Sequence, residues 1–188
     1  MSRKPNIYGG GAQTNANGLK FERDTDLLQI ISSIDGYKVE GNKIYRSENL
    51  VAEYFSKHSL YTMFLEPKGI FYKNYISAKL LPDDVLIVRD TCYIIEKKYQ
   101  KVGGSVDEKL VTFPFKKEQY QKMFSPLDIK VEFYYLLNDW FENERYRDTL
   151  AYIENKGSRY FFVPKELIDS VNIWGYLDYT RLSVVPNQ

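Results

Sequence analysis

The chain has 188 residues and a formal net charge of +1, and it is 44% hydrophobic and 27% charged. This balance is typical of a globular protein and excludes a disordered chain, and the length predicts one domain spanning residues 1–188. A charge so near zero excludes binding to nucleic acid by bulk electrostatic attraction alone, although locally placed lysines remain compatible with it. No apolar run approaches the ~18 residues that a membrane span needs, so we expect no membrane partner.

The cysteine content and the N-terminal residues indicate the cellular compartment in which the protein acts. The single cysteine, Cys92, cannot form an internal disulfide, and it is interpreted as a small packing residue. Residues 1–5 lead into a glycine-rich polar stretch rather than a hydrophobic segment, so no secretory signal is evident. Together these features predict a cytoplasmic protein.

The first predicted elements surround a short hairpin. After a turn-rich segment at residues 8–18, apolar spacing predicts a helix from residue 19 to residue 34, ended by Asp35-Gly36. Gly41-Asn42 then predicts a two-residue turn between strands at residues 37–40 and 43–46. Weaker patterns predict helices over residues 47–55 and 60–65 and a strand over residues 70–75.

The remaining elements predict a fold class. Two central strands are expected at residues 79–88 and 93–100, followed by a helix at residues 115–124. A continuously apolar run predicts a strand at residues 129–137 that is buried on both faces. A helix at residues 143–154 and a strand at residues 160–163 complete the order, which predicts an α/β fold with a central mixed β-sheet flanked by helices.

The two central strands carry the charged residues that indicate chemistry. Asp83 and Asp84 begin the first strand, and Glu96, Lys97 and Lys98 end the second. Because side chains alternate along a strand, Glu96 and Lys98 share one face while Lys97 points to the other. Two carboxylates can hold a divalent cation, and a nearby lysine can steady an attacking hydroxide.

The same charges also occur at the ends of solvated hairpins, where they have no chemical role. Here the residues before Glu96, at positions 93–95, are apolar, and the preceding strand is apolar as well. A helix then follows to cover the sheet. These three features favour a functional site, with Asp83 the preferred metal ligand and Asp84 the alternative.

Pro82-Asp83 followed by Glu96-Lys97-Lys98 resembles the core motif of the PD-(D/E)XK nuclease superfamily. The segments at residues 9–22 and 100–110 are similar to segments of some type II restriction endonucleases of that superfamily. The resemblance covers about residues 9–28 and 79–124. It departs from the family pattern at Asp84, which adds a second acid beside the expected one, and in the first position of Gly103-Gly104-Ser105.

The resemblance implies a restriction-endonuclease-like core and a Mg²⁺-dependent endodeoxyribonuclease that leaves 5′-phosphates, with Mn²⁺ as a substitute metal. It implies that Asp83, Glu96 and Glu22 hold the metal and that Lys98 orients or helps to deprotonate the attacking water. Its partners would be double-stranded DNA and a second copy of the chain, because cutting a palindrome requires two sites related by a two-fold axis. The possible substrate contacts are Gln100, Ser105, Lys109, Asn15 and Asn17.

Several of these residues also have simpler interpretations. Glu22 can be an acid that stabilises the start of a helix, Ser105 can cap a helix, and Lys109 can be a solvated lysine. At the level of function, the alternatives are a structure-selective repair or phage-type nuclease and a non-catalytic DNA-binding module.

Overall fold

The computed structural model of the chain describes residues 11–101 and 106–171, with side chains described over residues 17–101 and 108–171. Within these ranges the helices are α1 (Gly11–Asp24), α2 (Leu27–Ser33), α3 (Val106–Leu110), α4 (Phe113–Phe124), α5 (Arg147–Asn155) and α6 (Pro164–Ser170). The strands are β1 (Tyr37–Glu40), β2 (Lys43–Arg46), β3 (Asn49–Phe55), β4 (Asp84–Val88), β5 (Thr91–Lys98), β6 (Lys130–Leu137) and β7 (Arg159–Phe161).

The seven strands form one sheet in which spatial order follows sequence order. Strands β1 to β5 are antiparallel neighbours, whereas β5, β6 and β7 pair in parallel. Each parallel pair is joined through helices, α3 and α4 before β6 and α5 before β7, as parallel pairing requires. The predicted α/β class with a mixed sheet and flanking helices is therefore confirmed.

A hydrophobic core lies on each face of the sheet. The α4-side core includes Val85, Ile94 and Phe133 together with residues of α4, α5 and a π-helical turn at Leu60–Leu65. The α2-side core includes Leu86, Ile95 and Leu136 together with residues of α2 and α6. Every residue of β4 is buried, which is the pattern of a strand covered on both faces.

Cys92 lies in the α4-side core and is a buried free thiol, which confirms its interpretation as a packing residue. Burial raises the pKa of this thiol. Among residues 11–101 and 106–171, no helix is both long and apolar enough to cross a membrane.

Four of the predicted elements differ from the structure. The strand predicted over residues 79–88 forms only over its second half, as β4 (Asp84–Val88). The helix predicted over residues 47–55 is wrong, because this segment forms strand β3. The strand predicted over residues 70–75 is also wrong, since Tyr72–Asn74 form a 3₁₀ turn. The single helix predicted from residue 19 to residue 34 is two helices, α1 and α2, and Asp26 caps the second by accepting a hydrogen bond from the backbone of Gln29 at 3.1 Å.

Candidate active site

Three of the predicted site residues meet where β4 begins and β5 ends. Asp83 immediately precedes β4, and its Oδ2 accepts a hydrogen bond from the backbone nitrogen of Lys97 at 2.9 Å. Lys98 Nζ lies 2.6 Å from Glu96 Oε2 and 3.7 Å from Asp83 Oδ2. Both carboxylates therefore converge on one cation, and the hydrogen bond to the backbone of β5 fixes Asp83 relative to that strand.

The neighbouring acid, Asp84, belongs to a separate cluster on the α2 side of the sheet. Its Oδ2 lies 2.7 Å from Lys97 Nζ, and the two side chains are 4% and 5% exposed. The Tyr54 hydroxyl donates a hydrogen bond to the other oxygen of Asp84. Alternation along the strands thus places Asp83 beside Glu96 and pairs Asp84 with Lys97 on the opposite face.

Lys116 is a member of the cluster that the sequence did not single out. Its Nζ lies 3.3 Å from Glu96 Oε1, so each oxygen of Glu96 faces a different ammonium group. Lys116 comes from the first turn of α4, more than fifteen positions after Lys98, which is why the strand pattern could not reveal it. The Glu96 side chain is 7% exposed, so its negative charge is stabilised by the two ammonium groups rather than by hydration.

The pKa of Asp83 is raised above its usual value. Burial is the largest cause, and the negative charges of Glu96 and Glu22 act in the same direction, whereas the ammonium of Lys98 opposes them. An ionised Asp83 therefore costs stability in the protein without metal, and a divalent cation at this position would remove that cost.

We expect Asp83→Asn to make the metal-free protein less sensitive to rising pH. Because the folded-state pKa is raised, the stability that the protonated carboxyl contributes is complete below the usual aspartate value of about 3.9 and is lost as pH rises through the folded value. Asparagine retains an oxygen that can accept the hydrogen bond from Lys97. In urea unfolding with EDTA, the free energy of unfolding of the variant relative to the wild type should rise between pH 3.5 and pH 7. A difference between the two proteins that stays constant over this range would show that Asp83 is not strained.

Glu22 contacts Lys57 and Lys97, and its charge acts on Asp83 without a bond between the two acids. Its Oε2 is 3.7 Å from Lys57 Nζ, its side chain is 42% exposed, and its backbone oxygen accepts a hydrogen bond from Lys97 Nζ at 3.4 Å. Across the residues that the structure describes, no group of three or more His, Cys, Asp and Glu side chains is arranged to hold a metal ion. The role of Glu22 as a third ligand therefore stays a prediction.

The donor set that is assembled, Asp83 and Glu96, suits Mg²⁺. This ion binds hard oxygen ligands and is commonly held by one or two carboxylates together with water and substrate phosphate. The cation already between the two carboxylates, the Lys98 ammonium, shows that their oxygens point into the same space.

Gln100 lies just beyond β5 with an unsatisfied side chain. The residue is 4% exposed, and neither its side-chain oxygen nor its side-chain nitrogen has a hydrogen-bond partner. Its backbone is fixed by the Asn138 side chain, which bonds both the backbone nitrogen and the backbone oxygen of Gln100 at 2.9 Å. Gln100, Asn138, Trp140 and Arg145 are among the residues that line an open cavity of about 680 Å³.

The other possible substrate contacts are less closely defined. Lys109 is exposed on α3 and Asn17 is half-buried on α1. Asn15 belongs to α1 but its side chain lies outside the described residues, as does the whole of Ser105. Contact between these residues and a substrate stays a prediction.

Comparison with known proteins adds no relative. No protein-family model, curated protein or solved structure matches the chain. The function of the site is therefore argued from its own geometry and from the sequence motif.

Proposed function

We propose that the chain is a Mg²⁺-dependent endodeoxyribonuclease with a restriction-endonuclease-like core. The observation that supports this most strongly is the convergence of Asp83, Glu96 and Lys98 where β4 begins and β5 ends. The Lys98 ammonium lies 2.6 Å from one carboxylate and 3.7 Å from the other. Two carboxylates that can hold a metal ion and a lysine that can stabilise developing negative charge are groups that support metal-assisted phosphodiester hydrolysis.

Each residue has a distinct role in the proposed reaction. Asp83 and Glu96 would hold Mg²⁺, which when bound would polarise the scissile phosphodiester and promote ionisation of the attacking water. The Lys98 ammonium orients that water and stabilises the negative charge that develops during attack. The backbone of Lys97 holds Asp83 in place before substrate binds, whereas the Lys98 ammonium, which lies between the two carboxylates, would move aside to admit the ion.

Double-stranded DNA as substrate, and cleavage at a defined sequence, rest on the resemblance of the motif to type II restriction endonucleases. A homodimer would bring two copies of the site to the two strands of a palindrome. Residues 37–78 and 138–188, which lie outside the catalytic motif, would supply the base contacts. The buried free thiol of Cys92 is compatible with action in the reducing cytoplasm.

Digestion of plasmid DNA with Mg²⁺, followed by sequencing of the cut ends, tests the proposal. We expect discrete fragments with 5′-phosphates, no cleavage in EDTA, and activity when Mn²⁺ replaces Mg²⁺. Cuts without sequence preference would identify a structure-selective nuclease instead. DNA binding by the folded protein without cleavage in either metal would contradict the nuclease proposal and favour a binding module.

Gln100 offers a test of whether the active site extends beyond β5. A buried amide without partners is destabilising, so Gln100→Met should leave the thermal unfolding midpoint unchanged or raise it. If the amide contacts substrate or an ordered water, cleavage should slow by about tenfold, the equivalent of one lost hydrogen bond. A variant that cleaves DNA at the wild-type rate would limit Gln100 to a packing role.

A further inference from the structure

Lys116 has a position that catalysis by Asp83, Glu96 and Lys98 does not explain. Its ammonium lies 3.3 Å from Glu96 Oε1, and its side chain is 29% exposed. The group is therefore bound to the candidate metal ligand and still accessible from solvent. A partly exposed ammonium beside a buried carboxylate can reach a substrate that approaches from outside.

The location of Lys116 on α4 is unfavourable for the helix itself. Lysine in the first turn faces the positive end of the helix dipole, and no acidic residue occurs in that turn to offset it. The next residue, Lys117, is stabilised elsewhere, by Glu132 Oε2 at 2.8 Å and the carbonyl of Gly157 at 3.1 Å. Of these two adjacent lysines, only Lys116 is directed to the candidate site in the described structure.

The formal charges of the cluster indicate what Lys116 would bind. Asp83 and Glu96 carry two negative charges and Lys98 and Lys116 carry two positive charges, so the metal-free cluster is neutral. A bound divalent cation would give the cluster a formal charge of +2. A phosphodiester and an attacking hydroxide carry one negative charge each, so together they neutralise the metal-loaded cluster.

We propose that Lys116 is a phosphate-binding residue that changes partner. In the metal-free protein it holds Glu96 Oε1. A divalent cation held by Asp83 and Glu96 would neutralise this carboxylate and repel the ammonium, which would then be free to bind a non-bridging oxygen of the DNA backbone. This inference rests on the proposed nuclease function and adds a residue to its substrate-binding site. It predicts that Lys116 opposes metal binding in the absence of DNA and favours DNA binding in the presence of metal.

Two measurements on Lys116→Met test these opposite effects, with Lys117→Met as the matched control on the same helix turn. In Ca²⁺, fluorescence anisotropy with a duplex should show several-fold weaker binding by Lys116→Met. A plot of the logarithm of the association constant against the logarithm of the salt concentration should be less steep than for the wild type. The magnitude of its slope should be smaller by about 0.9, the value for one phosphate contact. Without DNA, calorimetry with Mn²⁺ should show tighter metal binding. Lys117→Met should change neither the binding of DNA nor the affinity for Mn²⁺. Lys116→Arg should retain the salt dependence of the wild type.

The outcomes separate this inference from the function on which it rests. A wild-type protein that neither binds Mn²⁺ nor cleaves DNA would overturn both. If the wild type does both, and Lys116→Met, folded by circular dichroism, leaves the salt slope and the Mn²⁺ affinity unchanged, only the role of Lys116 is wrong. A slope that falls equally in Lys117→Met would also contradict the specific role, because the effect would then be one of general charge.

Discussion

Glu96→Gln and Asp83→Asn are each expected to abolish Mg²⁺-dependent cleavage while the protein stays folded. Both changes keep the shape of the side chain and remove the charge that would hold the metal. The rate should fall by more than the ~10²-fold that typically follows loss of an outer-shell partner of a metal ligand. Asparagine can still accept the hydrogen bond from Lys97, and glutamine can still accept one from Lys98 but not a second one from Lys116.

Initial rates of supercoiled plasmid cleavage measure this effect, and circular dichroism verifies folding. Lys117→Met serves as the control, because its partners, Glu132 and Gly157, lie outside the acidic cluster. If either amide variant cuts at close to the wild-type rate in Mg²⁺, the residue that it replaces is not a metal ligand.

Of the substitutions proposed here, Lys97→Met is expected to destabilise the protein most, with a loss of about 3–5 kcal/mol in the free energy of unfolding. The substitution leaves Asp84 as an uncompensated carboxylate in a site where both side chains are almost fully buried. Burial already raises the pKa of Asp84 despite the opposing attraction of Lys97, so without Lys97 the carboxyl should bind a proton more readily. The loss should therefore be larger at pH 8 than at pH 5.

Urea unfolding of a double-mutant cycle with Asp84→Asn measures the coupling. Asparagine removes the charge and can still accept the hydrogen bond from Tyr54, so the double variant should be more stable than the sum of the two single effects predicts. Additive losses would show that Lys97 and Asp84 do not depend on each other.

The sequence predicted the central part of the fold well, because its signals there are local. Gly41-Asn42 defined the hairpin of β1 and β2, and the apolar runs defined β4, β5 and β6. The turn between β2 and β3 carried no such signal. Ser47 and Glu48 form it with φ values of 46° and 71°, a conformation that glycine and asparagine usually supply, so the following strand was mistaken for a helix.

Strand alternation predicted which residues of the candidate site share a face of the sheet, but it predicted nothing more about the site. Alternation placed Glu96 and Lys98 on one face and Lys97 on the other, and the structure has this arrangement. Alternation gave no information on burial, so the ion pair of Lys97 with Asp84 was not foreseen. Lys116 was missed for a different reason, since it approaches Glu96 from a helix and only tertiary packing brings the two together.

The arrangement of the sheet also limits how two copies of this chain can associate. Within the described residues the sheet ends at β1 and β7, which have four and three residues. Short outer strands offer few free backbone groups, and the exposed Lys38 and Glu40 on β1 oppose pairing with a neighbouring chain. A dimer built by joining two sheets edge to edge is therefore disfavoured, and a two-fold assembly on DNA would use helices and loops as its contact surface. Such an interface could form and separate without disturbing the strands that hold Asp83 and Glu96.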